Sequence, residues 1–181
     1  MYGETSPGKK VSILNFLITI VLVALLFYYV SMAAMTGDAL WFWPLFEEMP
    51  SQVVIHCYGQ EKSLEGTSED ATAIASLLNE QISGDKRWDE LNLTDPTHEY
   101  YMTDAEIMVL ELFYAEPIRI HLPNRFFSGI DSLLVPLDGR YADTSIIFGL
   151  IDGRPAGSSF HVGTNQPLID YLAQEGLCSK P

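Results

Sequence analysis

Basic charge is scarce in this chain. Ten lysines and arginines stand against twenty-four aspartates and glutamates over 181 residues, a formal charge of −14. The shortage is concentrated: beyond residue 36 there are eight basic and twenty-three acidic residues, a net of −15. A surface of that sign repels a phosphate backbone, and no basic stripe interrupts it, so nucleic acid is not an expected partner. Histidine and cysteine are missing from residues 1–55. That stretch therefore offers no axial haem ligand and no thiolate for an iron–sulfur cluster. The four histidines, His56, His98, His121 and His161, are not spaced with one another or with cysteines in a metal-binding pattern. A glycine-rich phosphate loop is also lacking. Gly157-Ser158-Ser159-Phe160-His161 sets a hydroxyl near an imidazole, but without the glycine two positions after the serine that a nucleophile elbow needs. No catalytic residue, cofactor site or metal site is assigned, and a non-enzyme is expected.

The second absence is charge between Val11 and Thr36. A helix over residues 11–35 would rise about 37 Å, more than the hydrocarbon thickness of about 30 Å. Lys9 and Lys10 stand before it, whereas Asp38, Glu47 and Glu48 follow it, with no basic residue until Lys62. The positive-inside rule then predicts a cytoplasmic tail (1–10), a transmembrane helix (11–35), and everything after it on the periplasmic or extracellular side of a cell membrane. A cleaved signal peptide is the competing reading, with Ser31-Met32-Ala33 as its small-residue site. The apolar run exceeds the usual 7–15 residues of a signal core, which favours an uncleaved single-pass anchor.

The anchor has texture. Ser12, Asn15 and Thr19 recur at helical spacing, and Ala24, Ser31 and Ala34 form a stripe of small residues. Such residues let another membrane helix approach closely, so they are read as a partner face. Residues 36–50 read as an aromatic interfacial linker. Trp41, Phe42, Trp43 and Phe46 lie within a run too short to span, and Pro44 stops it from extending the helix. It is expected to dock at the outer headgroup layer or against another membrane protein.

Residues 51–181, roughly 130, suffice for one domain with its own core. Strands are expected over Gln52–Tyr58, a short one around Trp88, Leu91 and Leu93, then Ile107–Tyr114, Ile118–Leu122, Ser132–Leu137, Ser145–Ile151 and Ser158–Val162. Asp95-Pro96-Thr97 and Ala115-Glu116-Pro117 read as a loop and a turn. One helix is capped at Thr67-Ser68, buries Ala71, Ile74, Ala75, Leu78 and Ile82, and stops at Gly84; another is capped by Asn165, has Pro167 in its first turn and ends at Gly176. The predicted fold is α+β, a mostly antiparallel sheet with two helices on one face. The only two cysteines, Cys57 and Cys178, lie near its ends, and an even count in an extracytoplasmic domain predicts a disulfide.

Three function classes fit. The first is a non-catalytic accessory subunit of a larger bacterial membrane complex, partnered by other integral membrane subunits and the lipid bilayer. Base rates for small one-helix subunits point to a respiratory or photosynthetic, energy-transducing complex, and the acidic domain would suit a basic soluble protein. The second is a membrane-tethered extracytoplasmic ligand-binding or sensor domain, with Tyr100, Tyr101, Phe126 and Phe127 as a candidate aromatic pocket. The third is an enzyme whose site the sequence does not reveal.

Overall fold

The computed structural model describes residues 13–122 and 125–180, apart from the side chains of Arg125, Phe126 and Ser158. Lys9, Lys10 and Ser12 therefore lie outside the described residues. The chain divides into two compact units that meet in sequence at Ala39 and Leu40.

The first unit is the helix α1, Ile13–Thr36. Among the described residues it is the one helix long and apolar enough to cross a membrane, and at 24 residues it rises about 36 Å. Its two threonine hydroxyls turn inward on their own backbone: Thr19 Oγ1 donates to the Asn15 carbonyl at 2.8 Å and Thr36 Oγ1 to the Met32 carbonyl at 2.8 Å. This is how a hydroxyl is satisfied where water is absent.

The second unit is α+β. Its elements are β1 Gln52–Cys57, β2 Gln60–Glu65, α2 Glu69–Ser83, β3 Lys86–Asp89, α3 Asp95–Thr103, β4 Met108–Leu122, β5 Arg125–Pro136, a 3₁₀ turn Ala142–Thr144, β6 Ile146–Ile151, β7 Arg154–Val162 and α4 Gln166–Gln174. The strands form one sheet in the order β2-β1-β4-β5-β6-β7-β3, and each of its six pairings is antiparallel.

Local chemistry sets these elements. Ser68 Oγ caps α2 by accepting the Ala71 N–H at 3.2 Å, and Glu69 and Asp70 complement the helix dipole in the first turn. Tyr58 and Gly59, with φ of 46° and 83°, make the two-residue turn that joins β1 to β2.

The sheet is covered on both faces. Facing one side, Val53, Ile55, Leu110, Leu112, Leu133, Val135, Ile147 and Phe160 pack against Ile74, Leu78 and Ile82 of α2 and Leu168 and Leu172 of α4. On the other, Val109, Leu134, Ile146, Phe148 and Leu150 pack against Tyr101 of α3 and the preceding Leu93. The β4–β5 hairpin is irregular between Phe113 and Arg119, and its far half pairs with neither β1 nor β6. There Phe127 packs edge-on to Phe160 of β7 at 5.4 Å and to Trp88 of β3 at 6.1 Å. The hairpin end is thus folded over the first core. Gly149 on β6 makes room: a Cβ there would meet Phe127 Cζ at 2.6 Å and Ile130 Cδ1 at 2.7 Å.

Several elements differ from the sequence expectation. Among the described residues the domain has three α-helices rather than two, because Thr94 Oγ1 caps α3 at the Thr97 N–H and Pro96 pre-sets its first turn. Ala115-Glu116-Pro117 does not turn the chain. It is an exposed, irregular stretch inside the single strand β4, where Pro117 needs no ladder donor. The strand around Trp88 ends at Asp89, before Leu91 and Leu93. β2 is additional.

Cys57 and Cys178 are bonded, with Cα atoms 5.6 Å apart. The bond joins the end of β1 to the segment after α4 and closes a loop across 121 positions. On the chain-entropy account that closure is worth about 5 kcal/mol before strain. Replacing both cysteines by serine should lower unfolding free energy by about 2–5 kcal/mol, read as the urea midpoint of the full chain in detergent micelles by near-ultraviolet circular dichroism. An unchanged midpoint would show that the bond carries no stability.

Candidate functional site

The aromatic run after α1 belongs to the second unit, and backbone clamps hold it there. Phe46 is 5% exposed and sits in the first core. Its N–H donates to Ser83 Oγ at 2.8 Å, and the same hydroxyl donates back to the Phe46 carbonyl at 3.3 Å. Asn79 Nδ2 donates to the Glu48 carbonyl at 3.0 Å. Lys86 Nζ donates to the Pro44 carbonyl at 2.9 Å and to the Ile82 carbonyl at 2.6 Å, placing a cation at the C-terminal end of α2. Burial holds the Lys86 ammonium below its ordinary pKa. Trp43 and Phe42 remain about half exposed, at 48% and 52%, and Trp41 packs edge-on to Phe42 at 5.8 Å. The result is an aromatic ledge whose root is buried and whose rim faces outward.

Behind the ledge lies a cleft of about 330 Å³. Trp41, Phe42, Trp43 and Pro44 form one side, with Gly84, Asp85, Lys86 and His121 around the rest. Its lining combines aromatic surface with charges of both signs.

His56 and His161 do other work. On the second sheet face, His56 Nε2 lies 3.0 Å from Glu111 Oε2, and Nδ1 lies 3.9 Å from Glu61 Oε2. His161 binds Asp89 through Nε2 and the Thr144 carbonyl through Nδ1, the latter at 2.7 Å. Ser159, two residues away, donates its hydroxyl to the Leu91 carbonyl at 2.7 Å. Both ring nitrogens are thus engaged by acceptors other than serine, and the serine proton is already committed. Serine, histidine and aspartate are neighbours here without forming a nucleophilic relay. They staple β3 and the loop after it to β7. Asp138 receives Tyr58 Oη at 2.7 Å and Lys180 Nζ at 2.9 Å, so its carboxylate ties the C-terminal segment to the loop after β5. Among the described residues, no group of three or more histidines, cysteines or carboxylates is placed to hold a metal ion.

The residues singled out in the sequence separate as follows. Asn15 and Thr19 lie about 40° apart around α1, and Ala24 and Ser31 about 20° apart, but the two pairs are about 150° from one another at 100° per residue. They make two faces rather than one. Trp41, Phe42 and Trp43 come together on the ledge, while Phe46 is its buried root. Tyr100 and Tyr101 belong to the second core and Phe127 to the first, on opposite faces of the sheet, so they do not line one pocket. Asp85, Lys86 and His121 were not anticipated. They reach the cleft through contacts 40 to 80 positions from the aromatic run, for which the sequence carries no local signal. No family model, curated protein or solved structure matches this chain.

Two outcomes test this geometry. Ser83→Ala leaves the Phe46 N–H without its partner and should cost about 1–3 kcal/mol. Ser76→Ala, which removes an exposed hydroxyl bonded within α2, should change stability by less than about 0.5 kcal/mol. Urea unfolding of both variants checks the contrast.

The second outcome is acid sensitivity. The His161 hydrogen bond holds the Asp89 carboxyl below its usual 3.8. For Asp138, burial pushes upward, but Lys180, Tyr58 and the Gly139 N–H outweigh it and the carboxyl also stays below 3.8. Groups lowered in the folded state contribute stability that is complete above the unfolded value and is lost as pH falls through the folded one. Unfolding free energy should therefore drop below about pH 4, and the Asp89→Asn/Asp138→Asn variant should lose less over the same range.

Proposed function

We propose that this is a single-pass membrane protein acting as a non-catalytic accessory subunit of a larger membrane complex, with its N-terminus cytoplasmic and its acidic domain outside. The observation that carries this reading is the clamped ledge. An exposed tryptophan and phenylalanine rim costs less to order on binding when Ser83, Lys86 and the buried Phe46 already fix the backbone beside it. Pre-ordered aromatics of this kind dominate protein interfaces. Only four residues lie between the end of α1 and Trp41, so the connection from the anchor to the ledge is short. The Cys57–Cys178 bond supports an oxidising compartment for the domain. Lys9 and Lys10 support the orientation. Two faces on α1, one with Asn15 and Thr19 and one with Ala24 and Ser31, suit contact with more than one neighbouring helix.

Photo-crosslinking in native membranes tests the proposal. A benzophenone side chain at Phe42 or Trp43 should give a discrete adduct with an integral membrane protein, and one at the exposed Lys62 should not. The complex should survive mild detergent extraction. A chain that gives no adduct at either ledge position and elutes alone at monomer size would refute it.

A further inference from the structure

We infer that the cleft behind the aromatic ledge receives the headgroup of a zwitterionic phospholipid. The inference rests on the membrane reading above and adds a ligand to it. The cleft is concave, of about 330 Å³, and lined chiefly by apolar surface from Trp41, Phe42, Trp43 and Pro44. Indole and phenyl faces attract an ammonium group through the ring quadrupole. Asp85 supplies a carboxylate of the matching sign at the same cleft. Lys86 and His121 border it as well. The Lys86 ammonium is held by two carbonyl oxygens, neither of which carries a formal charge, so a phosphate is a fitting counter-ion. A ligand with one ammonium and one phosphate is therefore complementary to both halves of the lining.

Net charge selects within that class. With −15 spread over the residues after the anchor, an anionic lipid would approach against repulsion, while a zwitterion carries no net charge and meets none. Chain continuity supplies the source. The segment that builds one wall follows directly on the helix that passes the length and composition requirements of a membrane span. Tryptophan that follows closely on a membrane span is enriched in the headgroup layer, where such a ligand is at hand.

The test uses the full chain in maltoside micelles with two short-chain probes of equal acyl length, dihexanoyl-phosphatidylcholine and dihexanoyl-phosphatidylglycerol. Native mass spectrometry counts retained lipid, and tryptophan emission gives the dissociation constant. One equivalent of the choline lipid should be retained, with an affinity about tenfold or more above that for the glycerol lipid. Trp43→Ala and Asp85→Asn should each weaken it about fivefold or more, with the thermal midpoint of both variants close to that of the parent. Lipid held merely around α1 would not respond to either substitution. Equal affinity for the two lipids, or variants that bind like the parent, would overturn the inference. Alkaline carbonate extraction of native membranes separates the two failures. A chain that stays integral but does not select the choline lipid refutes the cleft ligand alone, whereas a chain released as a peripheral protein refutes the membrane reading and the inference with it.

Discussion

The contact between Phe127 and Gly149 is the constraint on which the second unit depends. The β4–β5 hairpin is too long for its neighbours, and half of it has no strand beside it. Left flat, that half would expose Ile118, Ile120, Leu122, Phe127 and Ile130. Folded over, it buries all five to 4% exposure or less. Full burial of each such side chain is worth about 1.5–3 kcal/mol, so the fold-over is a major part of the core. It is possible because β4 is irregular after Phe113, which bends the hairpin, and because residue 149 has no side chain where the Phe127 ring arrives. The same bend carries His121 to the end of α2, beside Gly84 and Lys86. The cleft is a by-product of how the core closes.

That dependence explains what was legible in the sequence. β1, α2 and α4 announced themselves because apolar periodicity and stops agree locally, although Asn165 makes no side-chain cap on α4 and its Nδ2 donates to the Pro136 carbonyl at 3.5 Å instead. So did the disulfide, because two cysteines allow one pairing. The strand β2 did not, since Leu64 is the one buried residue in Gln60–Glu65 and an exposed edge strand has no alternation to detect. The helix α3 was hidden for a similar reason. It buries Thr97 and Tyr101 only, and its proline reads as a loop signal unless Thr94 is recognised as the cap. Ala115-Glu116-Pro117 misled because exposure, charge and proline are shared by turns and by bulges.

The candidate site was half legible. Trp41, Phe42 and Trp43 stood out by type. Nothing local distinguished them from Phe46, which is the buried member of the group. Its partner, Ser83, is 37 positions away, and the pattern of aromatic residues carries no record of that distance. The residues that give the cleft its charge, Asp85, Lys86 and His121, look like ordinary surface positions in sequence. They gain meaning only when the end of α2 and the folded-over hairpin meet the aromatic run.

The clamp of Lys86 on the Pro44 carbonyl also shortens the free stretch of chain after α1. Seven residues, 37–43, lie between the last residue of α1 and the first clamped carbonyl. Fully extended, they span less than about 30 Å. If the chain acts as proposed, a partner held in the same membrane assembly would meet the domain as an intramolecular encounter, at an effective concentration on the order of millimolar. Contacts far too weak to hold a free protein would then suffice, and selection could keep the ledge small, the domain acidic and the chain short.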